Sequence, residues 1–247
     1  MENINKTLKY YDLYMFHSLE NIQNYTLPEG YKFVFFKDGD EIEWVKININ
    51  AGVFLTIEDG LNAFNRSFRE NYHLMKERCI FIENANNEKI ATSTAYFVDE
   101  SIGKVHWVAI SKSEQGNKLS KPLLTKVLSI LKECNYKNTI LHTQTYNWLA
   151  IKVYLDLGFI PYKEDERIEG WNIIKTILNH KSLCNFKNTD IYDDVFVSID
   201  KFIQNNYKDY EYIIYDKQNI FKVKTNTIDT YSYEYINNEL KTKKLGS

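Results

Sequence analysis

At 247 residues and 44% hydrophobic composition the chain can bury one sizeable core, in a single large domain or a domain with an appended module, which excludes a disordered segment and a peptide-sized scaffold. Lys and Arg number 31 against 33 Asp and Glu, a net charge of -2, so no global positive field exists to gather nucleic acid or anionic lipid. The three cysteines, Cys79, Cys134 and Cys184, are widely spaced and form no CxxC pair, which argues against a disulfide framework and a thiolate zinc site and points to a reducing, cytoplasmic setting.

The opening residues lack a signal-like apolar core, and no apolar run approaches the roughly 18 residues of a membrane helix. Tyr31 to Phe36, aromatic and β-branched after the turn formers Pro28 to Gly30, predicts a strand. Ile42, Val45 and Ile49 at helical spacing predict a helix, and Leu61, Phe64, Phe68 and Leu74 predict another from about Glu58 to Lys76. Cys79 to Glu83 and Lys89 to Val98 read as a hairpin around a turn rich in Asn. The next strand, Lys104 to Ile110, alternates so that His106, Val108 and Ile110 share one face and Trp107 and Ala109 the other. A polar loop with one glycine leads into a helix carrying Leu119, Leu123, Val127 and Ile130, with Pro122 in its first turn. Thr139 to Thr145 is a strand, Asn147 to Leu157 a helix closed by Gly158, and Phe159 to Tyr162 a strand. Beyond Gly170 the pattern predicts helices at Trp171 to Leu178 and Val195 to Ile203, then short strands at Tyr210 to Tyr215, Ile220 to Lys224 and Thr230 to Tyr235. The order implies an α/β (α+β) fold: a mixed sheet flanked by helices, with a C-terminal α/β extension.

Two features could carry chemistry. A strand, a loop with Gly116 and a helix opening at Lys118 or Leu119 present free backbone amides and a positive helix end to an anion, although an ordinary connector has the same form. Asn147, Ala150 and Tyr154, at spacings of three and four, line one face of a helix, where an Asn is also an N-cap and a Tyr also packs.

In this order the pieces resemble the GNAT superfamily of N-acetyltransferases over about Tyr31 to Tyr162. The resemblance rests on His106 to Ile110, on Gln115 to Ser120, and above all on Asn147 to Phe159, with Asn, Ala three later, Tyr four after that, then Gly-Phe. It implies acetyl coenzyme A as co-substrate, held in a V-shaped gap between the His106 strand and the Thr139 strand. The backbone of Val108, Ala109 and Ile110 would pair with the pantetheine amides, and amides from Gly116, Asn117, Lys118, Leu119, Ser120 and Lys121, behind Gln115, would bind the pyrophosphate. Asn147, beside the small Ala150, would hold the pantetheine arm. The chain departs from the family at Lys118 and Ser120, where small residues are the rule: Lys118 either compensates with its charge or obstructs the site.

Acyl transfer to an amine needs a base, a polarised thioester carbonyl and a proton for the leaving thiolate. With a thiol near 8.5 and a phenol near 10, Tyr154 is the candidate general acid. His106 is the candidate base, as a histidine or glutamate on this strand serves in some family members, against a packing role; the Val108 amide is the candidate oxyanion donor. His17, His73, His142 and His180 have no metal-ligand spacing, so no metal is expected, and Cys134 reads as inert. The function implied is transfer of an acetyl group to a primary amine of a small molecule or peptide, by direct attack in a ternary complex. The alternatives are a non-catalytic acyl coenzyme A binding or sensing module, and a transferase on charged tRNA, which the net charge disfavours. The acceptor pocket is expected from the loop at Ala51 to Gly60 and the C-terminal segment. The expected organisation is an N-terminal segment 1–28 packed on an acetyltransferase domain 29–165, with an extension 166–247, in a monomer or homodimer away from membranes.

Overall fold

The structure is a computed structural model that describes residues 9–162 and 168–183, and the backbone alone of residues 210–215, 220–225, 230–236 and 239–246. The strands are β1 (Asp12–His17), β2 (Lys32–Phe35), β3 (Cys79–Glu83), β4 (Lys89–Phe97), β5 (Ile102–Ile110), β6 (Asn138–Gln144), β7 (Ile160–Pro161), β8 (Tyr210–Tyr215), β9 (Ile220–Thr225), β10 (Thr230–Ile236) and β11 (Glu239–Gly246). The helices are α1 (Glu41–Asn50), α2 (Ile57–Phe68), α3 (Met75–Arg78), α4 (Ser120–Glu133), α5 (Trp148–Asp156) and α6 (Ile168–Leu178). Hydrogen-bonded neighbours run β2-β3-β4-β5-β6-β1-β7, a mixed, mostly antiparallel seven-stranded sheet flanked by helices, as the sequence implies. The chain divides into two compact units, residues 16–141 and residues 1–15 with 142–247.

In the unit 16–141, β2 to β5 form an antiparallel ladder and β5 pairs in parallel with β6. Trp44 and Val45 of α1 and Phe64 and Phe68 of α2 pack with Phe81 of β3 and Ala109 of β5 on one face of the sheet. The other face of β5 meets α4, where Gly103 lies so close to Leu131 that a Cβ there would approach its Cδ2 to 2.9 Å. The α2 amide ladder starts at Thr56, whose Oγ1 accepts from Asp59 N (3.1 Å). The single helix expected to Lys76 stops at Phe68, and a 3₁₀ stretch Arg69–Leu74 follows. Asn71 there leaves helical geometry (φ -122°, ψ 29°), and its amide is drawn off to the Tyr96 hydroxyl (3.0 Å).

In the other unit, β1 is a strand the sequence reading missed. Leu13, Met15 and His17 alternate as its buried residues, and Thr145 N donates to Tyr11 O (3.1 Å) while Tyr162 N donates to Tyr14 O (2.9 Å). α5 ends as its sequence predicts: Gly158 takes φ +96°, its N–H bonds Leu155 O and Phe159 N bonds Tyr154 O. The last predicted strand shortens to Ile160–Pro161, and α6 begins at Ile168. The C-terminal strands form an antiparallel sheet in the order β11-β10-β9-β8, with β11 added to the three expected. The helix expected at Val195 to Ile203, and Cys184, lie outside the described residues.

Candidate functional site

The strand β5 is irregular at its centre. Thr94 pairs with His106 and Thr92 with Ala109, so two steps on β4 oppose three on β5, and Trp107 takes φ +52°. This is a β-bulge built on a tryptophan in left-handed geometry, a conformation costly for any residue with a Cβ. Trp107 is held there by Nε1 donating to Ser67 Oγ (3.0 Å) and by ring contacts with Trp44 (5.2 Å) and Phe54 (5.4 Å). The bulge corrects the expected alternation. His106 and Ala109 share the face turned to α1 and α2, and Val108 and Ile110, which flank Ala109, take the other. His106 therefore sits among rings, 5.7 Å from Phe68, 5.7 Å from Tyr96 and 5.5 Å from Trp107, rather than beside Val108. Nothing in the composition of the strand announces a bulge, because glycine or asparagine is the usual occupant of its left-handed position.

The backbone beyond the bulge is directed in a defined way. Ser111 N donates to Ile90 O (2.8 Å), so by alternation Ala109 also faces β4, whereas the peptide groups of Val108 and Ile110 face the opposite edge. The register with β6 covers Ile102 to Val105 only. Ile110 O accepts from the Gln115 side chain (3.2 Å).

The loop that follows carries Gly116 at φ +92°, with no atom within 4 Å of a Cβ built there, and Lys118 at φ +59°. A lysine thus occupies left-handed geometry at the position where the family resemblance calls for a small residue. The loop is tied down by Tyr31, whose hydroxyl donates to Glu114 (2.8 Å), and by Asn117, whose amide donates to Glu114 (2.9 Å) and to Tyr31 (3.1 Å). The bond to Glu114 holds the Tyr31 phenol above its ordinary value. The first turn of α4 has no acidic residue and no side-chain cap, Pro122 contributes no N–H, and Gln115 to Lys118 are exposed. Open, uncapped amides beside a cation suit a pyrophosphate, so the residues present fit coenzyme A. A cavity of about 550 Å³ lies elsewhere, between α1, the β3–β4 turn and Ser111 to Glu114. Glu43, Glu83, Glu88 and Glu114 outweigh Lys46 and Lys89 on its walls, which suits neither phosphate nor thioester.

The remaining predicted residues stand together on α5, in the other unit. Asn147 directly precedes the helix but does not cap it; its Nδ2 donates to Gln144 Oε1 (3.1 Å). Ala150 is half-buried one turn on. Tyr154 is 7% exposed, its ring edge-on to Phe159 (5.9 Å), and burial pushes its phenol up to about 12. Cys79 is buried on β3, its thiol likewise pushed up by burial to about 11, and is no nucleophile. Among the described residues no group of His, Cys, Asp and Glu could hold a metal ion, and no helix is long and apolar enough to cross a membrane.

A family model, the acetyltransferase (GNAT) family, matches residues 53–159. A search of curated proteins matched none. Among solved structures the chain is similar to a GCN5-related N-acetyltransferase from Sphaerobacter thermophilus, at 17% identity over 61% of this chain and 48% of that one, with a TM-score of 0.51. An acetyltransferase of the GNAT family from Colwellia psychrerythraea follows at 12% identity, 63% and 55% coverage and a TM-score of 0.49. A spermidine N-acetyltransferase from Vibrio cholerae, determined with CoA and spermine, is similar at 17% identity, 54% and 82% coverage and a TM-score of 0.43. The chain thus spans about half the length of the first two of these structures, and at 17% identity the likeness to the first is one of fold. The segment that matches the acetyltransferase (GNAT) family model, residues 53–159, takes in the Trp107 bulge, the Gly116 loop and the α5 phenol.

Proposed function

We propose that the protein is an acetyl coenzyme A:amine N-acetyltransferase that acts on a primary amine of a small molecule or peptide by direct attack in a ternary complex. The observation that carries this reading is the bulge in β5, which turns the peptide groups of Val108 and Ile110 to the edge of the strand beyond its register with β6. Acetyl coenzyme A supplies the activated acetyl thioester. Val108 to Ile110 hold the pantetheine amides, Gly116 to Lys121 the pyrophosphate, with the Lys118 ammonium adding charge, and Asn147 the arm.

The Val108 N–H donates to the acetyl carbonyl oxygen as the amine nitrogen forms its bond to carbon. His106 takes the proton that the amine sheds, directly or through water. Tyr154 donates toward sulfur as the carbon–sulfur bond breaks. A phenol near 12 facing a thiol near 8.5 makes outright transfer uphill by about 5 kcal/mol, so Tyr154 acts chiefly as a hydrogen-bond donor to the developing thiolate. The same shift keeps it protonated throughout the physiological range.

A thermal-shift titration tests the reading at its first step. Acetyl coenzyme A at 100 times its dissociation constant adds about 2.7 kcal/mol of stability, a rise of several degrees. No shift at millimolar concentration removes the reading.

A further inference from the structure

His142 of β6 and three residues at the start of the chain form a cluster that the mechanism above does not use. Leu141 and Thr143 on either side of His142 turn into the core, so His142 and Gln144 share the opposite face of the strand. There His142 Nε2 meets Asp12 Oδ1 at 2.8 Å, the Tyr10 hydroxyl donates to the same oxygen (2.6 Å), and the imidazole is stacked on the Tyr14 ring (4.8 Å, 27°). The two donors fix the carboxylate, and the stack fixes the plane of the imidazole. A carboxylate beside Nε2 places the proton of the neutral ring on that nitrogen and leaves the Nδ1 lone pair open, and Nδ1 has no hydrogen-bond partner among the described residues. The His142 side chain is 35% exposed, so water reaches it.

The cluster belongs to the unit of residues 1–15 and 142–247, as do Asn147 and Tyr154. Gln144, on the His142 face, accepts from the amide of Asn147, the residue proposed to hold the pantetheine arm (3.1 Å), and His142 is the first residue of β6 past its register with β5. The Tyr146 phenol, its ring 5.9 Å from that of Tyr10, is held above its ordinary value by burial and then by the Asp12 charge, so the carboxylate stands among rings rather than in open water. A primary amine, with a reference value of about 10.4, is an ammonium ion at neutral pH. Two protons therefore leave its nitrogen, one before attack to free the lone pair and one after the carbon–nitrogen bond forms. The proton taken by His106 is the second. The first needs an acceptor that can hand it on to water, and a partly exposed imidazole backed by a carboxylate is such a group.

We propose that His142, held in place by Asp12, accepts the first proton of the acceptor ammonium in acetyl transfer. This rests on the acetyltransferase reading. As Nδ1 takes the proton the N–H bond breaks, and its electron pair stays on nitrogen to attack the thioester carbon. The Asp12 carboxylate balances the imidazolium, which returns the proton to water. Ammonium and thioester thus give amide, free thiol and one proton. The test measures thiol release from acetyl coenzyme A with each of phenethylamine, spermidine, glucosamine and glycinamide, and follows the amine turned over fastest. His142→Ala is expected to lower kcat roughly 10²-fold, with the KM and thermal shift for acetyl coenzyme A little changed, and added imidazole to restore activity in proportion to its concentration. His142→Gln, which can keep the bond to Asp12, is expected to lose kcat to a similar extent. Asp12→Asn is expected to lower kcat roughly tenfold on its own and to add no loss in the His142→Ala background. An unchanged kcat in His142→Ala, a loss that imidazole leaves in place, or a His142→Gln enzyme of wild-type kcat overturns the proposal and leaves the transferase reading standing. Full additivity of Asp12→Asn with His142→Ala overturns the pairing. A wild type that binds acetyl coenzyme A and releases no thiol with any of the four amines overturns the proposal together with the transferase reading.

Discussion

Lys118 combines two effects in one exposed side chain. Its left-handed backbone costs about 1–2 kcal/mol relative to right-handed geometry, and glycine would relieve that at an entropic cost of about 0.5–1 kcal/mol. Lys118→Gly is therefore expected to stabilise the protein by up to about 1 kcal/mol in denaturant unfolding. It is also expected to weaken acetyl coenzyme A binding several-fold at low salt, with the loss shrinking as ionic strength rises and the screening length falls to about 10 Å at 0.1 M. Tighter binding by the variant would mean that the lysine obstructs the loop. The need for a left-handed residue at 118 could not be read from the sequence, since lysine is a poor marker for it. The family pattern did expose the substitution. The places of Asn147 and Tyr154 at the start of and within α5 were legible because helical spacing and the Gly158 cap mark that helix. The opposed faces of His106 and Val108 were not, because the bulge at Trp107 inverts every inference from alternation downstream of it.

At the scale of elements, the α1–α2 pair depends on a glycine. A Cβ at Gly60 would come within 2.5 Å of Val45 Cγ1, and Val45 is fully buried, so the two helices approach as closely as they do only because residue 60 has no side chain. Alanine at this helical position gains up to about 1 kcal/mol of propensity but forces overpacking that costs about 1–3 kcal/mol. Gly60→Ala is thus expected to lower the stability by about 1 kcal/mol or more, read as a lower midpoint in urea at constant slope. A neutral or stabilised variant would show that Val45 yields. Most elements were visible from period and punctuation. β1 escaped because its buried residues, Leu13, Met15 and the polar His17, alternate with Asp12, Tyr14 and Phe16 without flanking turn formers. The break after Phe68 escaped because it depends on a hydrogen bond from Asn71 to Tyr96, far along the chain.

At the scale of the whole molecule, two buried acids among the described residues, with strongly raised pKa values, contribute to its response to alkali. The Tyr154 phenol moves from 10.0 up to about 12 and the Cys79 thiol from 9.0 up to about 11, both through burial of the neutral form. Each raised value contributes stability that is fully present below the unfolded pKa and is lost as pH climbs through the folded one, because the unfolded chain ionises first. Stability is expected to decline from about pH 9 to pH 12, by up to about 3 kcal/mol for each group. Chemical denaturation across that range isolates Tyr154: wild type and Tyr154→Phe should run parallel below pH 10 and converge or cross above it as the wild type loses its share. Profiles that stay parallel to pH 12 would place the phenol in water. Acetyl transfer itself is tested most directly by free thiol released from acetyl coenzyme A in the presence of pooled primary amines. The reading predicts amine-dependent release by the wild type and a loss of roughly 10² or more in kcat for Tyr154→Phe at retained cofactor affinity. Cofactor binding without amine-dependent thiol release would contradict it.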